Sequence, residues 1–344
     1  MPSTDRPTIR VTTIADLLAL IPFLLGFQPQ HSLVLVALND DGVPFTARLT
    51  LPTPGQPPAP VRAAWDTITA KLASAGGARV VLVGYGPADQ IQAAVDTATD
   101  ALQGADIPIT DMLRVADGRF WHLDRPDTDG TAFDATTNPA AATAVYAGLV
   151  ALPDRDALAA TLTPVTGPAR VRMATATAAA CAVLVDLLDA ARPDTSGHGE
   201  PDDDPDAVLD TPLGLALQHA ARTYLTQAQD SYRNRLPVDD DHAAILTVLL
   251  SLPSLRDYAA RRTSAETWQQ QMWTDLIRRA EPPFVAGPAV LLALCALRSG
   301  NGALAGIAVN RALDTDPDDR LAQLLTRAIA AGIDPDTVAA LLAD

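Results

Sequence analysis

Apolar residues near the start of the chain change from a helical spacing to a strand-like run. Leucine and isoleucine recur three or four positions apart from Ile14 to Leu25, and Thr13 with Asp16 forms an approximate capping box ahead of them. Residues 33–38 form a continuous apolar run of strand length, and residues 79–85 form a second strand-like segment that is apolar after Arg79. This pattern predicts an amphipathic helix and two strands that are buried on both faces.

Turn signals divide the rest of the N-terminal part into further elements. The sequence "NDDG" at 39–42 and the pair Asp117-Gly118 each separate two strand-like segments, which predicts two hairpins. Amphipathic helices are predicted over about 61–75 and 88–103. These elements together predict a mixed sheet flanked by helices, an α/β domain over residues 1–165.

The remainder of the chain has helical spacing almost throughout. It predicts a connecting helix over 166–193, an acidic flexible linker over 194–206 and an all-helical domain over 207–344. After a first long helix, the helices predicted in that domain lie at 239–251, 264–280, 288–299, 302–313 and 318–331.

The last helices carry small residues at the positions where two paired helices would meet. Gly300 stands at the turn, Ala305 and Ala312 lie on the second helix, and Asp316-Pro317 follows its end. This pattern resembles a tetratricopeptide unit, in which small residues allow close helix packing. Because a solenoid normally needs about three units, we expect tetratricopeptide-like packing and no repeat array.

Composition and charge exclude several classes of protein. A 48% apolar content is ample for a packed core, and the net charge of −16 disfavours partners such as nucleic acids and anionic lipid surfaces. The apolar run 284–297 is shorter than the roughly 20 residues of a membrane span. Residues 17–27 lack the cleavage site of a signal peptide. We therefore expect a cytoplasmic protein that contacts neither membranes nor nucleic acids.

Cysteine and histidine give little support to metal or redox chemistry. Cys181 and Cys295 lie in apolar helical patterns, which favours buried free thiols, although a single disulfide between them stays open. The five histidines are scattered along the chain. The sequence therefore predicts no metal site and no cofactor.

Two segments of the N-terminal part are distinctive. "DLLALIPFLLGFQPQHSLVLVAL" and "RVADGRFWHL" resemble the signature of an actinobacterial family, the domain of unknown function family 4192. The resemblance extends over nearly the whole chain and implies the fold and an actinobacterial source, but no activity. The cysteine-rich stretch of many relatives is absent after the tryptophan. The matching residues are Pro22, Phe23, Leu24, Leu25, Gly26, Phe27, Pro29, Ser32, Asp117, Gly118, Arg119 and Trp121.

The segment 26–32, which we call the elbow, joins the first helix to the first strand. Gly26 is suited to a positive φ at a helix end, Phe27 to packing of the helix on the sheet, and Pro29 to a bend. The Ser32 hydroxyl is expected to satisfy a free backbone amide. The elbow also precedes a strand, whereas ligands usually bind after strands. These features favour a structural joint, with a binding surface as the alternative.

The turn after the third strand is the better-placed candidate for a ligand site. Its Gly-x-Gly sequence opens a strand-to-helix connection, where backbone amides could meet a phosphate. An aspartate in place of the third glycine argues against phosphate and is explained more simply as a helix N-cap. The predicted site combines the carboxyl ends of the first and third strands, with Tyr85, Gly86, Asp89, Asn39 and Asp40.

No recognised catalytic motif is present, and no catalytic residue is predicted. The leading hypothesis is a non-enzymatic protein-interaction or regulatory module that binds a protein partner through its C-terminal helices. The alternative is an α/β domain, with or without catalysis, that binds a nucleotide or another small ligand. A pocket joining Tyr85 and Gly86 to residues 39–42 would favour the ligand, and an apolar groove on 284–331 would favour the partner.

Overall fold

The computed structural model describes residues 9–39, 42–51, 58–74, 79–125, 129–190 and 211–331. It divides into two compact units, the first built mainly from the residues up to Leu158 and the second mainly from Ala159–Ser299 and Leu304–Ala328. The predicted acidic linker at 194–206 lies outside the described residues. The first unit is a mixed sheet with helices and the second is all helical, so the predicted fold class is confirmed.

The elements of the first unit agree in order with the sequence pattern. In chain order they are α1 (Ile14–Leu25), β1 (Ser32–Asn39), β2 (Gly42–Thr50), α2 (Pro58–Ser74), β3 (Arg79–Tyr85), α3 (Ala88–Gly104), β4 (Ile109–Ala116), β5 (Arg119–His122), β6 (Thr131–Ala132) and α4 (Pro139–Tyr146). The remaining helices are α5 (Arg155–Ala160), α6 (Gly167–Ala190), α7 (Pro212–Arg233), α8 (Asp240–Leu249), α9 (Pro253–Arg262), α10 (Thr267–Arg279), α11 (Ala286–Arg298), α12 (Gly302–Leu313) and α13 (Arg320–Ala331).

The sheet has the strand order β2-β1-β3-β4-β5-β6. Only β3 and β4 are parallel among these described strands; every other neighbouring pair is antiparallel. In the β1–β3 pair, Ser32 lies opposite Tyr85 and Leu38 lies opposite Arg79. The carboxyl end of β3 therefore lies beside the start of β1, and the carboxyl end of β1 lies at the opposite end of the strands.

Alternating residues of β1 and β3 form an apolar core with α2 and α3. Leu33 and Leu35 from β1 and Leu82 from β3 pack with Trp65 of α2 and Ile91 of α3, all of them buried. The residues on the opposite face of these strands are buried as well, which explains why residues 33–37 and 80–83 are continuously apolar.

Local capping chemistry fixes the first helix as predicted. The Thr13 hydroxyl accepts a hydrogen bond from the Asp16 amide at 3.1 Å, and the Asp16 carboxylate accepts one from the Thr13 amide at 3.0 Å. Asn138, the N-cap of α4, donates its side-chain amide to Asp16 at 3.0 Å. Gly26 ends α1 with φ of 82°. The capping box is confirmed, and it also links α1 to α4.

The helical unit differs from the sequence prediction mainly by an additional helix. Residues 253–262 form α9, although no helix was predicted between 251 and 264. This helix is rich in charge, and its buried Arg256 forms an ion pair with the buried Asp319 of the segment before α13. A paired charge can occupy a core position, so hydrophobic spacing alone does not reveal such a helix.

Three further predictions concern the C-terminal helices, the two cysteines and membrane-spanning segments. Residues Ala286 to Ala296 of α11 are all buried, and Gly300 has φ of 79° in the turn to α12. Helices are present where the tetratricopeptide-like pair was predicted, while that likeness itself stays a prediction. Cys181 and Cys295 do not form a disulfide with each other. Within the described residues no single helix has the length and apolar character to cross a membrane; α8 and α9 reach that threshold only when they are counted together, across a bend of 109°.

Candidate functional site

The elbow is anchored through its backbone. The Gln28 amide donates to the Leu152 carbonyl at 2.8 Å, and the Leu152 amide donates to the Gly26 carbonyl at 2.9 Å. Phe27, which forms this short parallel bridge with Leu152, is only 1% exposed. The path of the chain after α1 is therefore fixed by backbone hydrogen bonds on either side of Phe27, and the Phe27 ring is part of the core.

Arg48 of β2 contacts the elbow from the neighbouring strand. Its guanidinium lies 5.5 Å from the centre of the Phe27 ring and donates to the Gln30 carbonyl at 3.0 Å. Burial, with repulsion from Arg155, lowers the pKa of Arg48 below its ordinary value.

The Ser32 hydroxyl does not satisfy a backbone amide, although the sequence predicts that it would. It is fully buried and has no hydrogen-bond partner among the described residues.

A cleft of about 580 Å³ lies where the elbow meets the carboxyl ends of β3 and β4. The sequence interpretation placed the elbow at the wrong end of the sheet for a ligand, but the antiparallel β1–β3 pairing brings the start of β1 beside the end of β3. The elbow therefore borders the position where α/β proteins bind ligands. The cleft is lined by Leu18, Pro22, Gln28, Pro29, Gln30, His31, Tyr85, Gly86, Pro87, Arg114, Val115, Ala116, Asp117, Phe133 and Ala135.

Pro22 gives α1 an unusual surface at the cleft. Proline has no amide hydrogen, so the carbonyl of Leu18 lacks the helical donor that residue 22 would supply. Both residues line the cleft. This wall therefore includes apolar side chains from a helical turn in which residue 22 donates no backbone hydrogen bond.

Arg114 is the principal charged residue of the cleft. Its Nε donates to the Gly86 carbonyl at 3.3 Å, and its guanidinium lies 4.9 Å from the centre of the Trp121 ring. Trp121 is in turn packed against Gly130, where a Cβ atom would come within 2.5 Å of the indole. These contacts hold the guanidinium in one orientation. Among the described residues, no acceptor is bonded to its two terminal nitrogens.

His31 lies on the other side of Gly86. It is exposed, has φ of 43°, and its carbonyl accepts a hydrogen bond from the Leu51 amide at 2.9 Å. A Cβ atom on Gly86 would lie 3.8 Å from the His31 Nδ1 and 3.0 Å from Leu51. Gly86 itself has φ of 152°, so both the backbone and the close neighbours require glycine there.

The structure brings only some residues of the predicted site together. Tyr85 and Gly86 line the cleft, and burial raises the pKa of the Tyr85 phenol above its ordinary value. Asn39 is at the opposite end of the sheet, and Asp40 lies outside the described residues. Asp89 is exposed in the first turn of α3 and does not line the cleft.

The aspartate after the Gly-x-Gly turn is not the helix cap that was predicted, and the first glycine of the turn has a packing role. The N-cap of α3 is Pro87, which has no side-chain capping bond, so the interpretation of Asp89 as the N-cap was wrong. Gly84 allows α3 to pack on the sheet, since a Cβ atom there would lie 2.3 Å from Ile91. Helix–strand packing therefore explains why residue 84 is glycine, and a role in phosphate binding is not required to explain it.

The second signature segment forms one edge of the cleft. Asp117 and Gly118 have φ of 50° and 70°, the conformation of a type I′ turn, which confirms the predicted hairpin. Arg119 donates to the carbonyls of Asp129 and Gly130 at 2.7 and 2.9 Å. The turn places Asp117 in the cleft lining, and Arg119 holds the segment against which Trp121 packs.

The sequence interpretation missed Arg114 and gave His31 no role. The available signal for Arg114 was a charge inside a strand-like apolar segment, close to the strand's carboxyl end. His31 could be recognised only after β1 had been placed beside β3. Among the described residues, no group of three or more histidine, cysteine or acidic side chains is arranged to hold a metal ion.

Comparison with known proteins identifies one match. The family model described as Domain of unknown function (DUF4192) matches residues 15–336. Neither the curated proteins nor the solved structures contain a match. The matched range includes every residue that lines the cleft.

Proposed function

The chain belongs to the DUF4192 family, whose description names no activity, and we propose that it binds a small molecule in the cleft at the carboxyl ends of β3 and β4. The proposed event is binding, and no residue of the cleft is assigned a catalytic role. The cytoplasmic location, the actinobacterial source and the tetratricopeptide-like packing stay predictions of the sequence.

The position and composition of the cleft support this proposal. Ligand sites in α/β proteins lie beyond the carboxyl ends of parallel strands, and β3 and β4 are such a pair. Binding pockets usually measure about 300–1,000 Å³ and combine apolar walls with a few oriented polar groups. The cleft has a volume of about 580 Å³, walls that include Pro29, Tyr85 and Phe133, and polar groups that include His31 and Arg114.

A single observation carries the proposal: the two segments that resemble the family signature border the same cleft. Pro22 and Pro29 come from the first segment and Asp117 from the second, about 90 positions later in the chain. Several of these residues also have structural roles, but a joint and a hairpin do not need to meet around an open cavity. Their convergence there supports a ligand site.

The test is saturation-transfer NMR with phenol, a neutral aromatic probe. Ala135 is half-buried in the cleft lining, so Ala135→Trp should fill the cavity. Ala132→Trp is the matched control, because Ala132 is exposed on β6 and does not line the cleft. We expect saturation transfer to phenol in the unmodified chain and in A132W, and its loss in A135W. Equal transfer in both variants would refute the proposal.

A protein partner is the second candidate function, and exposed apolar side chains favour it. Val183, Val185 and Leu187 of α6 are 60%, 53% and 43% exposed, and Leu215 of α7 is 61% exposed. None of the large apolar side chains exposed in the described part of the chain lies in the range 284–331, where a groove would have favoured a partner. Replacing Val183 and Leu187 by serine should abolish co-purification of a partner if this surface binds one.

A further inference from the structure

We infer that the cleft ligand carries an anionic group, a carboxylate or a phosphate, that binds at Gly86 between Arg114 and His31. This inference rests on the proposed function and specifies the chemical class of its ligand. It follows from the orientation of Arg114 and from the distribution of charge around the cleft.

Arg114 is arranged to bind an oxyanion. Its Nε donates to the Gly86 carbonyl and its central carbon lies over the Trp121 ring, which leaves the two terminal nitrogens as its remaining donors. A guanidinium edge binds carboxylate or phosphate through two parallel hydrogen bonds. Because the side chain is already ordered, little conformational entropy is lost when such a ligand binds.

His31 adds a second nitrogen donor at the same place. It borders Gly86 from the elbow, while Arg114 reaches Gly86 from β4, so the two side chains flank one backbone position. Both side chains can donate hydrogen bonds from nitrogen, which favours a ligand with oxygen acceptors, and the positive charge of Arg114 favours a ligand of negative charge.

The apolar part of the cleft specifies the rest of the ligand. Pro22, Pro29, Tyr85 and Phe133 provide walls for an aromatic or aliphatic body. Asp117 is the one carboxylate among the described residues of the lining, and it is exposed in the hairpin turn. Its negative charge should oppose an anion, so removing that charge and removing the charge of Arg114 should have opposite effects on binding.

The experiment compares three probes that share a phenyl ring. Dissociation constants of phenol, benzoate and phenyl phosphate are measured by NMR titration of the full chain at pH 7. We expect at least one anionic probe to bind about tenfold or more tightly than phenol, because only the anion can form a charged hydrogen bond with Arg114. The preference between benzoate and phenyl phosphate then distinguishes a carboxylate ligand from a phosphate ligand.

Two variants test the residues. R114Q should remove the preference for the anion and leave phenol binding within about twofold. D117N should strengthen anion binding by about two- to fivefold, and asparagine tolerates the positive φ of that position. If R114Q destabilises the fold, as its melting temperature would show, D117N still gives a decisive sign.

The possible results separate this inference from the proposed function. The anion inference would be overturned by equal affinity for all three probes, by an unchanged preference for the anion in a folded R114Q, or by weaker anion binding in D117N. Loss of phenol binding in A135W would still support a ligand in the cleft. Absence of binding by all three probes would overturn both.

Discussion

Replacing Gly84 with alanine tests the packing of α3 on the sheet, on which one wall of the cleft depends. The new Cβ atom would lie 2.3 Å from the Cγ2 atom of Ile91 and 2.9 Å from its Cγ1 atom. Carbon atoms in van der Waals contact are normally about 3.5–4.0 Å apart. Ile91 is fully buried, so its side chain cannot turn into solvent and α3 or β3 must shift.

The magnitude follows from two opposing effects. Overpacking a well-packed core costs about 1–3 kcal/mol. Alanine also lowers the conformational entropy of the unfolded chain relative to glycine, which stabilises the fold by about 0.4–1 kcal/mol. G84A should therefore reduce the free energy of unfolding by about 1–2 kcal/mol. In the I91A background the clashing atoms are absent, so G84A should be neutral or stabilising there.

The assay is urea unfolding of G84A, I91A, the double variant and G104A. Gly104 ends α3, and a Cβ atom there would meet no atom within 4 Å, so G104A is the matched control and should be neutral or slightly stabilising. Additive effects of G84A and I91A, or a G84A variant as stable as the unmodified chain, would refute the packing explanation of Gly84.

Three further predictions concern stability. G26V should lower the melting temperature in calorimetry, because the left-handed conformation at the end of α1 costs about 1–2 kcal/mol or more for a β-branched residue. An unchanged melting temperature would contradict this structural role and would make Gly26 a functional residue. Hydrogen bonds, the strongest from Asn138, hold the pKa of Asp16 well below its usual 3.8, so the stability it contributes is present above that value and is lost as pH falls below it. Thermal unfolding should therefore show a smaller loss between about pH 5 and pH 3 in D16N than in the unmodified chain. Burial opposes the ionisation of Asp240, but hydrogen bonds from arginines that include Arg279 prevail and lower its pKa. D240N should therefore also lose less stability than the unmodified chain as the pH falls. If D16N or D240N lost as much stability as the unmodified chain, the role assigned to that carboxylate would be contradicted.

The elements that the sequence predicted correctly are those with local causes. The capping box of Thr13 and Asp16 acts within one turn of helix. Asp117 and Gly118 are residues that tolerate positive φ, so the hairpin turn was predictable from two positions. Strand burial was visible because both faces of β1 are apolar.

The site was predicted only in part, because its geometry depends on strand pairing. Nothing local to β1 or β3 requires them to be antiparallel neighbours, yet that pairing separates Asn39 from Tyr85 and brings His31 beside Gly86. The role of Arg114 depends likewise on the parallel β3–β4 pair, which places its side chain within reach of the Gly86 carbonyl. Long-range pairing of this kind is a tertiary property that periodicity does not encode.

Native mass spectrometry of the chain purified gently from its own cells tests most directly whether the cleft holds a small molecule. We predict an added mass of roughly a few hundred daltons on the unmodified chain and on A132W, as a pocket of about 580 Å³ would hold, and its absence from A135W. The same added mass on A135W would show that the ligand binds elsewhere and would contradict the assignment of the cleft. An added mass of protein size in place of a small ligand would contradict it as well and would favour a partner-binding function.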